Sequence, residues 1–436
     1  MKYYSTNRKA PEVTLEEAVL NGLAPDRGLY MPERIGRLPQ SFFDGIAGMT
    51  FHEIASAVAR EFFGDDIPAE VLDGIVADTL SFPVPVVKVD DSVYSLELFH
   101  GPTLAFKDVG ARFMARLLRY FIGRNEGDSR TVHVLVATSG DTGSAVANGF
   151  LGVEGIKVHV LYPKGKVSPI QECQFTTLGR NITAIEVDGT FDDCQRMVKS
   201  AFMDRDLNGR MFLTSANSIN VARFLPQAFY YFEAYARLRR MGIDGELVFS
   251  VPSGNFGNIT AGLIAARMGL PVKRFIAANN ANDVFLEYLR TGTYNPRPSI
   301  PTMANAMDVG DPSNFARILD MYSADHDRIS SCISGVSYTD AHIASAMRDC
   351  YARTGYVLDP HGACGYRSLC GSLQSGEIGV FLETAHPAKF TDTVKTAIGI
   401  EPELPDRLKA FMSGTRHTVP MAPDSEALRA YLIEND

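Results

Sequence analysis

One lysine of this chain stands where its amine could do covalent chemistry. Lys107 lies between the aromatic ring of Phe106 and the carboxylate of Asp108, just after a Gly-Pro turn. The following residues, 109–121, have the spacing of an amphipathic helix, so the amine would lie at a loop-to-helix junction. Partial desolvation there lowers a lysine pKa, and the neutral amine can attack an aldehyde to form a Schiff base.

Pyridoxal 5'-phosphate (PLP) is the usual biological aldehyde for such a lysine. It needs a phosphate cradle, a partner for its pyridine nitrogen and a carboxylate site for an amino-acid substrate. The best cradle is a loop between a predicted strand and a predicted helix, and its candidate residues are Gly254, Asn255, Phe256, Gly257 and Asn258. Backbone N–H groups at a helix N-terminus bind anions, and glycine allows close approach. A plain tight turn is the alternative for this loop considered alone.

A second strand-to-helix loop carries hydroxyl and backbone N–H groups without net positive charge. Its candidate residues are Ser139, Gly140, Asp141, Thr142 and Gly143. Such a ring of neutral donors suits a substrate carboxylate. Because a second carboxylate would repel it, we expect Asp141 to order the loop or to cap the helix. An N-capped helix without a ligand is the alternative.

Two further segments supply the remaining groups. Ser218, Asn220 and Arg223 fall within about two helical turns, and the guanidinium could grip a phosphate bidentately. The alternative is a capped helix with a surface arginine. Thr384 follows the last apolar strand, at the sheet edge where ligands of open α/β sheets bind, and its hydroxyl could donate to the pyridine nitrogen. We expect His386 to pack or cap rather than to catalyse.

The elements that must position these residues alternate between short apolar runs and helical patterns, which indicates α/β layering. We predict strands at 131–137, 156–161, 182–187, 211–213, 247–251, 272–278, 356–358 and 378–382. We predict helices at 14–20, 50–63, 168–178, 191–202 and 221–240. The strands are almost entirely apolar, as in parallel sheets covered on both faces. The predicted division is an N-terminal helical cap domain (1–90), a large α/β domain (91–130 and 224–436) and a small mobile α/β subdomain (131–223).

The composition argues against several classes of function. The 436 residues carry a net charge of −9 and no basic stripe, which argues against a nucleic-acid partner. The chain shows no apolar run of membrane-spanning length, and its six cysteines include no Cys-x-x-Cys pair. We therefore expect a cytoplasmic protein with free thiols, no membrane association and no catalytic metal.

Five motifs in order resemble those of threonine synthases. They are Phe-Lys-Asp at 106–108, Thr-Ser-Gly-Asp-Thr-Gly at 138–143, Ser-Ala-Asn-Ser-Ile-Asn-x-x-Arg at 215–223, Ser-Gly-Asn-Phe-Gly-Asn at 253–258 and Glu-Thr-Ala-His-Pro-Ala-Lys-Phe at 383–390. The resemblance covers essentially the whole chain and points to the long, N-terminally extended branch. It implies PLP fold-type II, similar to the tryptophan synthase β subunit, with two open, mostly parallel sheets covered by helices and an N-terminal helical cap.

The resemblance also implies residue roles and a reaction. Lys107 would be the Schiff-base lysine and acid/base, residues 254–258 would hold the cofactor phosphate, and Thr384 would face the pyridine nitrogen. Residues 139–143 would receive the amino-acid end of the substrate, with Ser218 and Arg223 on its phosphate. The implied reaction converts O-phospho-L-homoserine and water to L-threonine and phosphate, by γ-elimination followed by β-addition of water, in a monomer or a homodimer.

Three alternatives remain open at the level of sequence. A PLP-dependent phospho-lyase that yields 2-oxobutanoate would share nearly every motif. A serine/threonine dehydratase-like PLP enzyme would not need Arg223. A dinucleotide-binding dehydrogenase would need Gly-x-Gly-x-x-Gly after a strand, a pattern that residues 254–258 do not fit. Two short motifs also depart from the family pattern. The family usually has Ser-Thr-Arg-Gly where this chain has Ser5-Thr6-Asn7-Arg8, and Asp-Gly-Gly where it has Asp26-Arg27-Gly28.

Overall fold

The computed structural model describes residues 1–124 and 131–436. The strands are β1 (Tyr3–Ser5), β2 (Tyr30–Pro32), β3 (Val86–Asp90), β4 (Val93–Glu97), β5 (Val132–Ala137), β6 (Ile156–Pro163), β7 (Ile182–Val187), β8 (Phe212–Ser215), β9 (Glu246–Pro252), β10 (Arg274–Asn279), β11 (Ile333–Ser337), β12 (Glu377–Glu383) and β13 (Thr418–Met421).

Most of the remaining ordered chain is helical. The α-helices are α1 (Leu15–Asn21), α2 (Gln40–Gly45), α3 (Phe51–Phe63), α4 (Ala69–Thr79), α5 (Lys107–Arg124), α6 (Asp141–Phe150), α7 (Pro169–Thr176), α8 (Phe191–Met203), α9 (Arg205–Arg210), α10 (Val221–Phe224), α11 (Ala228–Arg240), α12 (Gly257–Arg267), α13 (Val284–Thr291), α14 (Phe315–Met321), α15 (His326–Cys332), α16 (Asp340–Thr354), α17 (Pro360–Cys370), α18 (Thr391–Ile398), α19 (Asp406–Met412) and α20 (Ser425–Glu434). None of the helices in the described ranges combines the length and hydrophobicity that a membrane span requires.

The larger sheet has six strands in the order β11-β10-β9-β12-β4-β3, and only the β3–β4 pair is antiparallel. Its central strands are buried along nearly their whole length, because helices cover both faces. β9 and β12 are neighbours in parallel register, with Phe249 opposite Val380. The loops that leave their carboxyl ends, at 253–256 and at 384, therefore emerge side by side.

The smaller sheet is fully parallel, in the order β13-β7-β6-β5-β8. Four of its strands come from 131–215, but β13 comes from the C-terminal tail. Helix α20 packs on the same unit, with Leu428 and Leu432 buried in its core. The tail thus belongs with the smaller sheet, whereas the predicted division places it in the large domain. β3 likewise joins the larger sheet although 1–90 is the predicted cap.

The N-terminal unit is mainly helical, as predicted. The predicted helices at 14–20 and 50–63 are confirmed as α1 and α3. Each begins at a threonine in a capping box, with Thr14 paired to Glu17 and Thr50 paired to Glu53. The capping hydroxyl and the returning carboxylate satisfy backbone donors that a helix end leaves free, which fixes both starting points.

Two predicted elements are wrong. Residues 356–358 form a loop rather than a strand, and Asp359 ends this loop by capping α17. The predicted helix 221–240 is broken into α10, a 3₁₀ turn over Leu225–Gln227 and α11. Pro226 lies at the break, where its ring has no N–H to continue the α-helical ladder.

The two departures from the family pattern keep a glycine-like backbone. Arg8 has a φ of 55° and Arg27 a φ of 68°, both in the left-handed region that glycine adopts most easily. The turn at Arg27 is held by Asp26, whose carboxylate accepts hydrogen bonds from the Ser5 hydroxyl (2.6 Å) and from the Gly28 amide (2.9 Å). The turn at Arg27 thus has a left-handed backbone that the Asp26 carboxylate holds in place.

Candidate active site

One cavity of about 290 Å³ collects most of the predicted site residues. It opens where loops leave the carboxyl ends of β5, β9 and β12. The predicted residues that line it are Phe106, Lys107, Ser139, Asp141, Thr142, Ser218, Arg223, Gly254, Asn255, Phe256, Gly257, Asn258 and Thr384. Segments far apart in the sequence thus meet around a single space.

Lys107 is positioned by a short antiparallel bridge to the segment after β12. The Phe106 amide donates to the Thr384 carbonyl at 2.9 Å, and the His386 amide donates to the Leu104 carbonyl at 3.1 Å. This bridge holds Lys107 and Thr384 at the same cavity. It also explains His386, whose ring accepts a hydrogen bond from the Ala388 amide (3.1 Å), so the expected capping role is confirmed.

The carboxylate beside Lys107 turns away from the amine. Asp108 accepts hydrogen bonds from the Thr103 amide (2.9 Å) and hydroxyl (2.6 Å), and so it fixes the turn that leads into α5. Burial lowers the pKa of Lys107; Asp141 opposes the shift, while Lys389 and Arg223 add to it. The amine is therefore easier to deprotonate than an exposed lysine, as its place in the sequence predicts.

The loop after β9 presents a row of backbone donors. Phe256 takes a left-handed conformation (φ 61°, ψ 6°), and α12 begins at the next residue. Among the described residues, the amides of 254–258 find no backbone or side-chain acceptor. The Asn258 side-chain oxygen accepts hydrogen bonds from the hydroxyls of Tyr230 (2.7 Å) and Tyr231 (2.8 Å), while its buried Nδ2 has no partner in the described part of the chain. This donor set is suited to an anion.

Asp141 orders its loop, as expected, through residues that the sequence analysis did not identify. Its carboxylate pairs with the Lys389 ammonium at 2.5 Å and accepts from the Gln171 side chain at 2.8 Å. Lys389 also donates to the Thr103 carbonyl at 2.9 Å. Burial would raise the pKa of the Asp141 carboxyl, but Lys389 and Lys107 outweigh it and hold this pKa well below its usual range.

Arg223 reaches the cavity but is nearly fully buried, with 2% of the residue exposed. Its guanidinium donates to the Ala216 carbonyl, and its Nε has no partner among the described residues. Burial lowers the pKa of Arg223 to about 10, and the nearby Asp108 opposes that shift. The guanidinium therefore stays charged at neutral pH, and the alternative of a surface arginine is wrong.

Three predicted residues lie behind the cavity lining instead of in it. Asn220 caps α10 and donates to the Val19 carbonyl at 2.8 Å. Gly140 and Gly143 shape the loop, because their amides donate to the Thr138 hydroxyl at 3.0 Å and 2.8 Å. Arg27 is also outside the lining.

Several lining residues were not among the predicted site residues. The irregular segment 305–313 covers one side of the cavity, and a Cβ on Gly254 would come within 2.7 Å of the Met307 backbone. His361 supports this segment, since its Nε2 accepts from the Ala306 amide (3.2 Å) and its Nδ1 contacts Asp359 (2.5 Å). A histidine preceded by Asp-Pro has no distinctive spacing, so only the fold reveals this role.

Comparison with known proteins decides the family. Residues 82–384 match the family of pyridoxal-phosphate dependent enzymes, residues 2–80 the threonine synthase N terminus and residues 362–432 the threonine synthase C-terminal family. The chain is 42% identical to threonine synthase of Haemophilus influenzae over 435 residues, covering all of both chains. The chain belongs to the threonine synthase family. It is accordingly a PLP-dependent enzyme.

Solved threonine synthases share the fold. The crystal structure of the Escherichia coli enzyme gives a TM-score of 0.92 at 41% identity and covers all of both chains. The PLP-bound threonine synthase from Brucella melitensis gives 0.93 at 35% identity, covering 100% of this chain and 99% of that one. The predicted PLP fold-type II is confirmed.

The residues present fit PLP. The amides of 254–258 and the Asn258 Nδ2, which have no partner within the described ranges, form a neutral cradle with the hydrogen-bond donors that a phosphate needs. Lys107 reaches the same cavity from one side and Thr384 from the adjacent strand end. A threonine hydroxyl can donate to a pyridine nitrogen or accept from it, and it leaves the nitrogen without a carboxylate partner.

Proposed function

We propose that this chain converts O-phospho-L-homoserine and water to L-threonine and phosphate in the cavity around Lys107. The observation that carries the proposal is the convergence of two anion sites on one lysine. The donors of 254–258 line this cavity together with Arg223 and Ser218. A substrate that carries its own phosphate explains why the site has Arg223 in addition to the donors for the cofactor phosphate.

We assign the residue roles as follows. Bound PLP would supply an aldehyde for Lys107 and an electron-withdrawing ring for charge at the substrate Cα. Residues 254–258 would hold its phosphate, and Phe106 and Thr384 would border its ring. Lys107, once displaced by the substrate amine, takes the Cα proton and later returns it.

The substrate is held at both ends. The amides of Ser139, Asp141 and Thr142 have no acceptor among the described residues and face the cavity, so they suit the substrate carboxylate. Lys389 keeps the Asp141 carboxylate engaged and away from it. Arg223 binds the phosphate most strongly as it leaves from Cγ, when negative charge grows on it. Loss of a donor of that kind costs about 2.7–4 kcal/mol of barrier.

The proposed function also bears on the partners and the cellular location of the chain. We propose that a small-molecule substrate is its main partner and that it acts in the cytoplasm, where free thiols such as the buried Cys173 and Cys364 stay reduced. Assembly as a monomer or a homodimer, and the absence of a nucleic-acid partner, stay predictions.

Product analysis with two variants tests the proposal. Lys107→Ala should lose both the visible absorbance of bound PLP and all turnover. Arg223→Ala should keep the absorbance but lose about 100-fold or more in kcat/KM for O-phosphohomoserine. Arg240→Ala is the matched control, since Arg240 pairs with Glu233 away from the cavity.

Phosphate and threonine should appear in equal amounts. Phosphate with 2-oxobutanoate would instead assign a phospho-lyase, and unchanged kinetics in Arg223→Ala would favour a dehydratase that acts on serine or threonine.

A further inference from the structure

A second arginine is buried directly behind the cavity. Arg317 of α14 has 0% of its surface exposed, and its guanidinium stacks 3.9 Å from the centroid of the Phe224 ring. Among the described residues, no carboxylate forms an ion pair with it, and burial is the only influence on its pKa, which falls to about 9. Because an unpaired buried cation is costly, its contacts indicate its role.

The guanidinium joins three separate parts of the chain. One terminal nitrogen donates to the Ser218 carbonyl (3.0 Å) and to the Asn314 side-chain oxygen (2.5 Å). The other donates to the Ile219 carbonyl (2.6 Å) and to the Tyr30 carbonyl (3.2 Å). Arg317 thus ties the loop after β8 and the N-terminal strand β2 to the segment that precedes α14.

The partners of Arg317 hold two loops against each other: the proposed cofactor-phosphate loop (254–258) and the proposed substrate-phosphate loop (215–223). Asn314 donates to the Asn255 carbonyl (3.0 Å) and to the Ser218 hydroxyl (3.3 Å). Asn255 in turn donates to that hydroxyl at 2.7 Å. A Cβ on Gly257 would lie 3.3 Å from the Ser218 Cβ and 3.4 Å from the Asn314 nitrogen. The contact between the loops therefore depends on the positions that Arg317 fixes.

We propose that Arg317 is a positioning residue that sets the spacing between the cofactor-phosphate loop and the substrate-phosphate loop. The part that concerns the substrate rests on the proposed function. A lysine cannot replace the planar fork, because one ammonium does not reach four acceptors on three segments.

The test compares Arg317→Met, Arg317→Lys and Asn314→Ala with wild type. Arg267→Met is the matched control, because Arg267 also donates to a backbone carbonyl, that of Met321, and lies 5.0 Å from the Tyr322 ring centroid. Apo-protein is titrated with PLP, followed by visible absorbance, and with inorganic phosphate, followed by the shift in melting temperature. Steady-state kinetics with O-phosphohomoserine give KM and kcat separately.

We expect Arg317→Met to weaken both PLP and phosphate binding by about tenfold, which corresponds to about 1.4 kcal/mol, and to raise KM. Arg317→Lys should recover part of the loss, and Arg267→Met should match wild type. Asn314→Ala should shift binding in the same direction as Arg317→Met, because it cuts the link to both loops.

A folded Arg317→Met variant that binds PLP and phosphate like wild type overturns the proposal. If that variant does not fold, wild-type binding by Arg317→Lys overturns it, and if neither folds, wild-type binding by Asn314→Ala does. A wild-type protein that binds PLP but releases no phosphate from O-phosphohomoserine contradicts the proposed function, while the PLP titrations still decide the role of Arg317.

Discussion

The residue before Thr384 carries a carboxyl group with little to stabilise its charge. Glu383 is fully buried, and one of its oxygens accepts the Asp359 amide at 2.6 Å while the other has no partner among the described residues. Burial and the nearby Asp359 carboxylate raise the pKa of Glu383 well above its usual value. The folded state therefore favours the protonated form of Glu383 more strongly than the unfolded chain does.

This raised pKa predicts how stability depends on pH. Between the unfolded value of about 4.5 and the higher folded value, the folded state keeps a proton that the unfolded chain releases. The contribution of Glu383 to stability therefore falls as pH rises through that window. Glu383→Gln removes this dependence, so it should be at least as stable as wild type at pH 8, with the advantage growing from pH 5. Urea unfolding at each pH measures it.

Glu377 provides a control of opposite sign. It is equally buried, but a hydrogen bond from Arg274 outweighs burial and lowers its pKa to about 2. Its stabilising effect is therefore present above pH 4.5 and lost as pH falls towards 2. Glu377→Gln should cost roughly 1–3 kcal/mol at pH 7, and this cost should shrink in acid. Parallel pH profiles for the two variants would contradict the raised pKa of Glu383.

Single residues also show the limit of prediction from sequence. Lys107, Thr384 and Arg223 could be singled out because each stands in a motif at an element end, and each lines the cavity. The partner of Asp141 could not be predicted, because Lys389 is distant in sequence and only the fold brings them together. Arg317 gave no signal at all, since a buried arginine on a short helix looks like any surface arginine.

At the scale of elements, the sequence predicts most interior strands and the edge strand β8, but it misses the interior strand β4 and the edge strands β3, β11 and β13. β5, β6 and β9 are continuous apolar runs because both their faces are covered. The edge strand β11 is half-exposed and contains a glycine, and β13 contains a proline, so neither has a strong pattern. An edge strand depends on pairing with a distant neighbour, which local composition does not encode.

The turn between β5 and α6 depends on one glycine. Gly140 has a φ of 151°, and a Cβ there would lie 2.7 Å from three atoms of the Gln171 side chain. Gln171 holds Asp141, so the clash would disturb the loop that we assign to the substrate carboxylate. Gly140→Ala should cost about 1–3 kcal/mol of stability, and kcat/KM should fall about tenfold or more because the loop is misplaced.

Gly165→Ala is a control that distinguishes the effect of backbone strain from the effect of a misplaced loop. Gly165 also has a positive φ, 65°, but apart from its chain neighbours no described residue lies within 4 Å of an added Cβ. This control should lose about 1–2 kcal/mol of stability with unchanged kcat/KM. Chemical unfolding and steady-state kinetics on both variants make the comparison. Equal kinetic losses would show that backbone strain alone, and not the contact with Gln171, reduces activity.

At the scale of the whole molecule, the C-terminal tail changes how the chain divides. After α18 and α19 the tail crosses to the smaller sheet, where β13 pairs with β7. Arg429 of α20 forms ion pairs with Asp204 (2.8 Å) and Asp206 (2.6 Å), and Asp436 lies 3.2 Å from His133. We propose that 131–215 and 418–436 form one unit, and that this unit moves over the substrate while the cradle at 254–258 stays with the larger sheet.

A substitution that creates a cavity in the C-terminal tail tests this division into two units. Leu428 is fully buried among core residues of the smaller sheet, and Leu428→Ala should cost about 2–5 kcal/mol. If the unit is cooperative, amide hydrogen exchange should quicken in 182–203 and 418–434 together while 246–252 stays protected. Leu369→Ala creates a cavity in the core beside the larger sheet. Amide exchange should then quicken in 246–252 while 182–203 and 418–434 stay protected. Equal acceleration everywhere in both variants would mean that the two sheets unfold as one body, and a closing motion of the smaller unit would then lack its structural basis.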